Sequence, residues 1–215
     1  MSSLNPHYTF EYSQPSEYHF SHDSVFLARR VFDYYREMNL MPARGLDLCA
    51  GCGIIGLDFL FHCENDLELK PESFDFLEVQ SVYANHFSEN LQRSKITNTK
   101  IQFLNENYDL LLGADRAQAY DLILCNPPYF YLGQGKLSPS EFKNRCRFFL
   151  DSDLKNLIAA IVNSLAPGGS AFILLRDQLE HGWSTKAEVQ NLLSARFKME
   201  SLDDVRGTGL IKISH

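Results

Sequence analysis

Residues 124–130, LCNPPYF, place a side-chain amide, two prolines and two aromatic rings at the end of an apolar run. Prolines fix the backbone φ angle and cannot donate to a strand ladder, so the pair predicts a rigid strand end. The side-chain oxygen of Asn126 and the carbonyl of Pro127 could accept both hydrogens of an amine, while Tyr129 and Phe130 could stack on a planar substrate. The pattern predicts chemistry on an exocyclic amine, with alignment supplying most of the rate.

A glycine-rich turn is the second chemical element. DLCAGCGIIG places Gly51, Gly53 and Gly56 in G-x-G-x-x-G spacing between an apolar strand and a helix. Glycines allow a tight turn and a close approach of the backbone to a ligand. Glu78 follows Gly56 by 22 residues, where nucleotide-binding sheets place a carboxylate for ribose hydroxyls. Together they predict a nucleoside-containing cofactor. The alternatives are a turn without a ligand and a solvated charge.

Asp47 selects among such cofactors, because it lies in the strand four residues before Gly51. A carboxylate there can hold loop amides and reach an ammonium group, as S-adenosyl-L-methionine offers, whereas it would repel a pyrophosphate. We therefore expect S-adenosyl-L-methionine. Cys49 and Cys52 form a C-x-x-C pair without a second thiol pair or a thioredoxin context, so we interpret them as packing residues.

Strands that alternate with helices predict an α/β fold. Predicted strands span 46–50, 74–80, 100–106, 120–125 and 170–176, with two more near 200–205 and 209–214. Predicted helices span 21–38, 51–63, 81–94, 153–165 and approximately 184–194. Right-handed βαβ units give a Rossmann-like, doubly wound, mostly parallel seven-stranded sheet with helices on both faces. Ligands lie beyond the carboxyl ends of such strands, so the glycine turn and the NPPY segment should meet at one edge.

Composition limits the classes of protein. The 215 residues, 45% hydrophobic, suit a single domain, 1–215, with an N-terminal covering segment and helix at 1–45 and the core at 46–215. A net charge of −7 argues against a generally basic nucleic-acid surface, although a local patch is compatible with it. The absence of a membrane-length apolar run or signal-peptide pattern, and five cysteines without framework spacing, predict a cytoplasmic protein. Scattered histidines predict no metal site.

The chain resembles class I S-adenosylmethionine-dependent methyltransferases with an NPPY tetrad, and within them the bacterial adenine-N6 methyltransferases of valine tRNA. The similar segments are 14–31, 46–57, 126–130 and 203–213. The resemblance implies methyl transfer to the N6 amine of adenine in RNA, with tRNA as the first candidate. It implies a catalytic tetrad of Asn126, Pro127, Pro128 and Tyr129.

The same resemblance implies a set of cofactor-binding residues. Asn107, where the family more often has Asp, would form a hydrogen bond with the adenine amine. Tyr108 and Val79 would pack on the adenine ring, and the alternative for Tyr108 is ordinary packing in the protein core. Asp23 would lie near the methionine end, unless it caps the first helix. With the residues of the turn, the expected cofactor set is Asp23, Asp47, Cys49, Ala50, Gly51, Gly53, Glu78, Val79, Asn107, Tyr108 and Asn126.

A basic cluster follows the tetrad, where the family usually has an arginine-rich, often histidine-containing stretch. Here the chain reads GKLSPSEFKNRCRFFLDSD, with Lys136, Lys143, Arg145 and Arg147 among phenylalanines. With Tyr129 and Phe130 these residues are the predicted substrate-binding set, because cations can hold phosphates while a base enters the pocket. The alternative is a mobile basic loop without a role in RNA binding.

Other substrate classes remain open at this stage. A glutamine-N5 methyltransferase of the release-factor type has a similar tetrad but usually carries a helical N-terminal domain, for which the first 45 residues leave no room. DNA adenine methyltransferases usually add a target-recognition region, and none is visible. A non-catalytic cofactor-binding subunit is disfavoured by the intact tetrad, and a protein partner is compatible with the sequence.

Overall fold

The computed structural model describes residues 11–66, 70–177 and 182–215. In these ranges seven strands form one sheet. They are β1 Arg44–Leu48, β2 Ser73–Leu77, β3 Lys100–Leu104, β4 Tyr120–Cys125, β5 Leu165–Leu175, β6 Lys198–Val205 and β7 Thr208–Ser214. The strand order is β3-β2-β1-β4-β5-β7-β6, and β7 is antiparallel to both of its neighbours. The expected Rossmann-like, mostly parallel sheet is therefore confirmed.

Helices cover both faces of this sheet. They are α1 His22–Met38, α2 Ile54–Asp66, α3 Tyr83–Ser94, α4 Glu141–Arg147, α5 Leu154–Ser164 and α6 Thr185–Leu192, with 3₁₀ turns at Tyr108–Leu112 and Ala114–Arg116. Strand β4 shows why two layers form, because its side chains alternate between the faces. Leu122 and Leu124 pack with α1, α2 and α3, whereas Ile123 and Cys125 pack with α5 and α6. The doubly wound arrangement is thus confirmed.

Several element boundaries differ from the sequence-based prediction. The first strand ends at Leu48, because Cys49 adopts a left-handed φ of 61° and turns the chain. The fifth strand begins at Leu165, so the APGG segment belongs to β5 instead of separating a helix from a strand. Its pairing with β4 shifts register there, and Gly168, at φ 80°, supplies the backbone freedom that a bulge requires.

The two chemical motifs start side by side. Strands β1 and β4 are parallel neighbours, and Leu48 pairs with Cys125 at their carboxyl ends. The glycine turn follows β1, and the Asn-Pro-Pro-Tyr segment follows β4. Because parallel strands end at the same edge, the predicted meeting of the two motifs is confirmed.

Candidate active site

A cavity of about 370 Å³ opens at this edge of the sheet. Its wall contains most of the predicted site residues: Asp23, Cys49, Ala50, Gly51, Glu78, Val79, Asn107, Tyr108, Asn126, Pro127, Pro128, Tyr129, Phe130, Arg145 and Arg147. The volume lies within the ordinary range for small-molecule sites. The predicted residues Asp47, Gly53, Lys136 and Lys143 lie off this wall.

The glycine turn is shaped by positive φ angles and tight packing. Gly51 has φ 54° and Gly53 has φ 83°. A Cβ added to Gly53 would lie 2.7 Å from Cδ2 of Phe87 on α3. Gly53 therefore permits close packing of the turn on α3, and a side chain there would move the turn without entering the cavity directly.

Asp47 lies beneath the turn. It is fully buried, and its Oδ2 accepts a hydrogen bond from the Gly56 amide at 2.8 Å. Burial raises the pKa of Asp47 well above its usual value. Its expected role in holding a backbone amide is therefore present in the geometry. The expected reach toward an ammonium group has no support, because the side chain does not line the cavity.

Glu78 is fixed at the cavity wall by two backbone amides. Its Oε2 accepts from Gly51 N at 2.9 Å, and its Oε1 accepts from Gln80 N at 2.8 Å. Burial raises the pKa of this carboxyl. A carboxylate oxygen has more than one acceptor position, so both oxygens keep capacity for a hydroxyl donor. This chemistry fits the ribose of a nucleoside.

Beside Glu78, an apolar and amide-bearing wall is built by Val79, Asn107 and Tyr108. The Tyr108 hydroxyl donates to Asp153 O at 3.0 Å, which fixes the ring. Asn107 Oδ1 accepts from Asp109 N at 3.0 Å, and its Nδ2 donates to Asp151 O at 2.8 Å. Its expected bond to an adenine amine stays a prediction that depends on the second lone pair of Oδ1.

Asp23 lies in the first turn of α1 and does not cap it. Ser21 occupies the cap position, without a side-chain cap bond, so the alternative that Asp23 caps this helix is wrong. The Asp23 carboxylate accepts from Thr208 Oγ1 at 2.9 Å, and Arg206 Nε lies 3.7 Å from it. Asp23 therefore ties α1 to the β6–β7 turn while lining the cavity.

The Asn126 amide is oriented by two side chains. Its Nδ2 donates to Ser24 Oγ at 3.0 Å, and the Tyr129 hydroxyl donates to its Oδ1. Burial raises the pKa of Tyr129, so this hydroxyl keeps its proton as a donor. Oδ1 retains a second lone pair that can accept from a substrate amine. Ser24, 3% exposed, was not predicted, although it lies in the Asp-Ser pair that opens α1.

Part of the segment after the tetrad forms helix α4, Glu141–Arg147, which the sequence did not predict. The Phe142 ring lies 5.6 Å from the ring of Tyr83 on α3, centroid to centroid. At the last residue of α4, the carbonyl of Arg147 accepts from Tyr129 N and Phe130 N, each at 3.1 Å. Residues 126–130, the tip that follows β4, and the end of α4 are therefore joined by backbone hydrogen bonds.

The predicted phosphate-binding cations have different surroundings. Arg145 forms a forked ion pair with Asp151, at 3.0 Å from Nε and 2.7 Å from Nη2 to Oδ1, so its guanidinium anchors α4. The Arg147 guanidinium lies 5.6 Å from the centroid of the Phe130 ring. Lys136 is exposed and Lys143 half-buried, both outside the cavity. Of the four, only Arg147 offers a cation at the cavity that is not committed to a carboxylate of the described chain.

Sequence reasoning missed several wall residues. They come from the covering segment and the start of α1, from the glycine turn and α2, from the ends of β2 and β3, from the start of α3, from α4 and the residues after it, and from the ends of β5 and β7. These residues are Gln14, Tyr18, Phe20, Ser21, Ser24, Cys52, Ile54, Ile55, Leu77, Gln80, Tyr83, Glu106, Cys146, Phe148, Phe149, Leu150, Asp151, Ser152, Arg176 and Thr208. The covering role expected of the N-terminal segment agrees with this placement. No spacing in the sequence reveals which residues of this segment line the cavity.

The two thiols of the C-x-x-C pair belong to opposite faces of the sheet. Cys52 packs with the α1, α2 and α3 side, and Cys49 with the α5 and α6 side. Burial raises the pKa of Cys52 to about 12. Both cysteines pack against the apolar side chains of their own face and also line the cavity. Across the described ranges, no three His, Cys, Asp or Glu side chains are grouped as a metal ion would need, and no helix is long and apolar enough for a membrane crossing.

Similar proteins have been found by sequence. The chain is 25% identical over 154 residues to a tRNA1(Val) (adenine(37)-N6)-methyltransferase of Bacteroides fragilis, covering 72% of this chain and 61% of the relative. It is 31% identical over 134 residues to a protein of the same name from Aeromonas hydrophila, covering 61% and 51%. The chain thus matches less than two thirds of the length of these relatives. No family model matches the sequence.

Solved structures share the fold. TrmN from Thermus thermophilus superposes with a TM-score of 0.56 at 18% identity, covering 88% of this chain and 48% of that one. A ribosomal protein L11 methylase from Lactobacillus delbrueckii gives 0.57 at 18% identity, covering 91% and 80%. The chain therefore has the Rossmann-like fold found in these methyltransferases.

Proposed function

We propose that the protein is an S-adenosyl-L-methionine-dependent N-methyltransferase that modifies the exocyclic N6 amine of adenine in RNA, with transfer RNA as the substrate class. The observation that carries this proposal is the position of Asn126. Its side-chain oxygen stands at the wall of a cavity that also contains a buried carboxylate suited to a ribose. An amine acceptor and a nucleoside site thus share one cavity.

The residues present fit the proposed cofactor. Glu78 keeps acceptor capacity for ribose hydroxyls, and Val79 and Tyr108 offer apolar surface to a planar ring. Gly51 brings bare backbone to the wall beside them. When bound, S-adenosyl-L-methionine supplies an electrophilic methyl group.

The side chains around Asn126 account for the activation of a weak nucleophile. An aromatic amine has a delocalised lone pair, and two acceptors on its hydrogens favour the tetrahedral nitrogen that attacks a methyl carbon. Asn126 Oδ1 and the Pro127 carbonyl are those acceptors, and the backbone bonds to Arg147 keep the tip rigid. After transfer the nitrogen is cationic and acidic, so its proton can leave without a strong base. Tyr129 and Phe130 provide the ring surface for the base.

The relatives add support for the substrate. Both named relatives are adenine-N6 methyltransferases of tRNA, at 25% and 31% identity. The similar segment reaches 72% of this chain in one of them. The Asn-Pro-Pro-Tyr segment and the cavity together support the same reaction for this chain.

Methyl transfer from radiolabelled S-adenosyl-L-methionine tests the proposal. Total tRNA, ribosomal RNA, DNA and a release-factor protein would be offered separately, and the products digested to nucleosides or amino acids. The expected result is label in tRNA as N6-methyladenosine. Label only in protein glutamine, or only in DNA, would replace the proposed substrate class. Cofactor binding without label in any of them would contradict the proposed activity.

A further inference from the structure

Arg176 is an exposed cation at the cavity that the sequence analysis did not single out. It follows the last residue of β5, the strand beside β4, and it contributes to the cavity wall. The hydroxyl of Thr185 donates to its backbone carbonyl at 2.8 Å, which anchors the chain at this point. Its positive charge is close enough to the Tyr129 hydroxyl to oppose, in part, the rise in pKa that burial causes there.

Most arginines of the described chain lie within 4.0 Å of a carboxylate oxygen. These are Arg29, Arg30, Arg36, Arg44, Arg93, Arg116, Arg145 and Arg206. Within the described ranges Arg147, Arg176 and Arg196 have no such ion pair, and two of these three line the cavity. Although the chain has a net charge of −7, the cavity wall therefore carries two arginines, Arg147 and Arg176, that are available to bind an anion.

These two arginines reach the cavity wall from separate parts of the chain. Arg147 comes from the end of α4 and lies over the ring of Phe130. Arg176 follows the end of β5, and its positive charge acts to lower the pKa of Tyr129. Each aromatic residue of the tip thus has a guanidinium near it, Arg147 for Phe130 and Arg176 for Tyr129. A nucleotide within a chain has the matching chemistry, a planar base with a phosphate on each side.

We infer that Arg176 binds a backbone phosphate beside the target adenine, with Arg147 serving a second phosphate. The inference rests on the proposed function and narrows it to an unpaired nucleotide inside an RNA strand. A base must leave its stack to reach Asn126, and phosphate contacts on both sides hold the strand while it does so. A glutamine side chain on a peptide brings no such fixed anions.

The test compares Arg176→Gln with Arg196→Gln, which removes the same charge from an exposed position between α6 and β6. Steady-state methylation of tRNA is expected to show an increase in KM of about tenfold for Arg176→Gln with kcat within about twofold. The slope of log Kd for tRNA against log salt concentration is expected to fall by about 1. Arg196→Gln is expected to match the wild type in each quantity.

Two further measurements separate the causes of failure. Calorimetric titration with S-adenosylhomocysteine is expected to give equal affinities for the wild type and Arg176→Gln, and a lower affinity in the variant would assign Arg176 to the cofactor instead. Equal KM and equal salt slope in both variants would overturn the inference while leaving the proposed function intact. A wild-type protein that binds the cofactor but labels no RNA would overturn the proposed function itself. Arg176→Lys, which keeps the charge, is expected to retain the wild-type salt slope.

Discussion

The two ends of the cavity, the proposed cofactor end at the glycine turn and the proposed substrate end at Asn126, are held together in different ways. At the cofactor end, buried carboxylates hold nearby backbone amides, as in Asp47 with Gly56 and Glu78 with Gly51, across 9 and 27 residues of sequence. At the substrate end, backbone bonds to Arg147 fix the chain, but the Asn126 amide itself is held by a side chain 102 residues away, Ser24. The cofactor end is therefore built from compact sequence motifs, whereas the substrate end exists only once distant segments have packed.

This difference predicts how each end responds to substitution. A backbone-built site fails when the backbone cannot adopt its path, so one substitution should remove binding altogether. A site built from side-chain contacts should lose function in steps, because each side chain can be removed while the others remain in place.

Gly53→Val should have the largest effect. The new side chain would meet Phe87 at a backbone φ of 83° that a β-branched residue rarely adopts, so the turn must move. We expect cofactor affinity to fall by at least about 100-fold and the free energy of unfolding to drop by about 1–3 kcal/mol. Calorimetric titration and urea unfolding measure the two quantities.

Gly133→Val is the matched control for that change. Gly133 also has a positive φ, 91°, but a Cβ there would meet no atom within 4 Å. We expect cofactor affinity to stay at its wild-type value, because only backbone strain is introduced. Wild-type affinity in Gly53→Val would contradict a cofactor end that depends on its backbone path.

Asn126→Ala should have the next largest effect, confined to methyl transfer. The substitution removes the acceptor offered to the amine, and loss of one such group typically costs about 10²–10³ in kcat. Cofactor affinity should change by less than about twofold. Single-turnover methylation and calorimetry measure the two quantities, and near wild-type turnover would refute the assignment of Asn126. Asn126→Asp, which keeps an acceptor oxygen, should retain more activity than the alanine variant.

Ser24→Ala tests whether the distant contact matters to the same reaction. Loss of the bond to Asn126 Nδ2 frees the amide to rotate, and one such hydrogen bond contributes about 1 kcal/mol. We therefore expect kcat for tRNA to fall about fivefold with KM unchanged. Ser88→Ala, at an exposed position of α3 that does not line the cavity, should keep its kcat. Equal kcat values in the two variants would show that Ser24 does not position Asn126.

Asp47→Asn should have the smallest effect, visible as a dependence of stability on pH. Burial raises the pKa of Asp47, so the folded protein binds this proton more tightly than the unfolded chain does. Its favourable contribution is complete below the unfolded pKa and is lost as pH rises through the folded pKa. The asparagine variant, which carries no titrating proton, should therefore gain stability relative to the wild type as pH rises above the unfolded pKa of Asp47. Urea unfolding at several pH values measures the free energy of unfolding of both proteins. A difference between them that does not change with pH would exclude this linkage.

The contacts that hold the two ends differ in how far the sequence could predict them, for the same physical reason. Glycines at positive φ and a carboxylate at a strand end leave a local pattern, so Gly51 and Glu78 could be placed on one wall. Ser24 and Arg176 carry no such pattern, because their position depends on how α1 and β5 pack beside β4. Nothing in the spacing of Arg145 reveals the ion pair that its guanidinium forms with Asp151.

The fold itself followed from alternation of strands and helices, and its errors lie where the chain departs from regular geometry. The start of β5 was missed because glycine and proline in APGG are usual helix-stop signals, yet here they form a bulge within the strand. Helix α4 was missed because its face toward Tyr83 is short and interrupted by charges. Neither feature can be recognised before its neighbours are in place.

The backbone bonds between the tip and the end of α4 also bear on how such a protein could be redesigned. Phe130 pairs with Phe148, so residues 131–147 form an insert whose two ends are already joined. The entropy of closing such an insert rises only slowly with its length, so its size can vary at little cost in stability. Exchanging it between chains that share this tip should leave Asn126 in its place, at the expense of the contact between Phe142 and Tyr83.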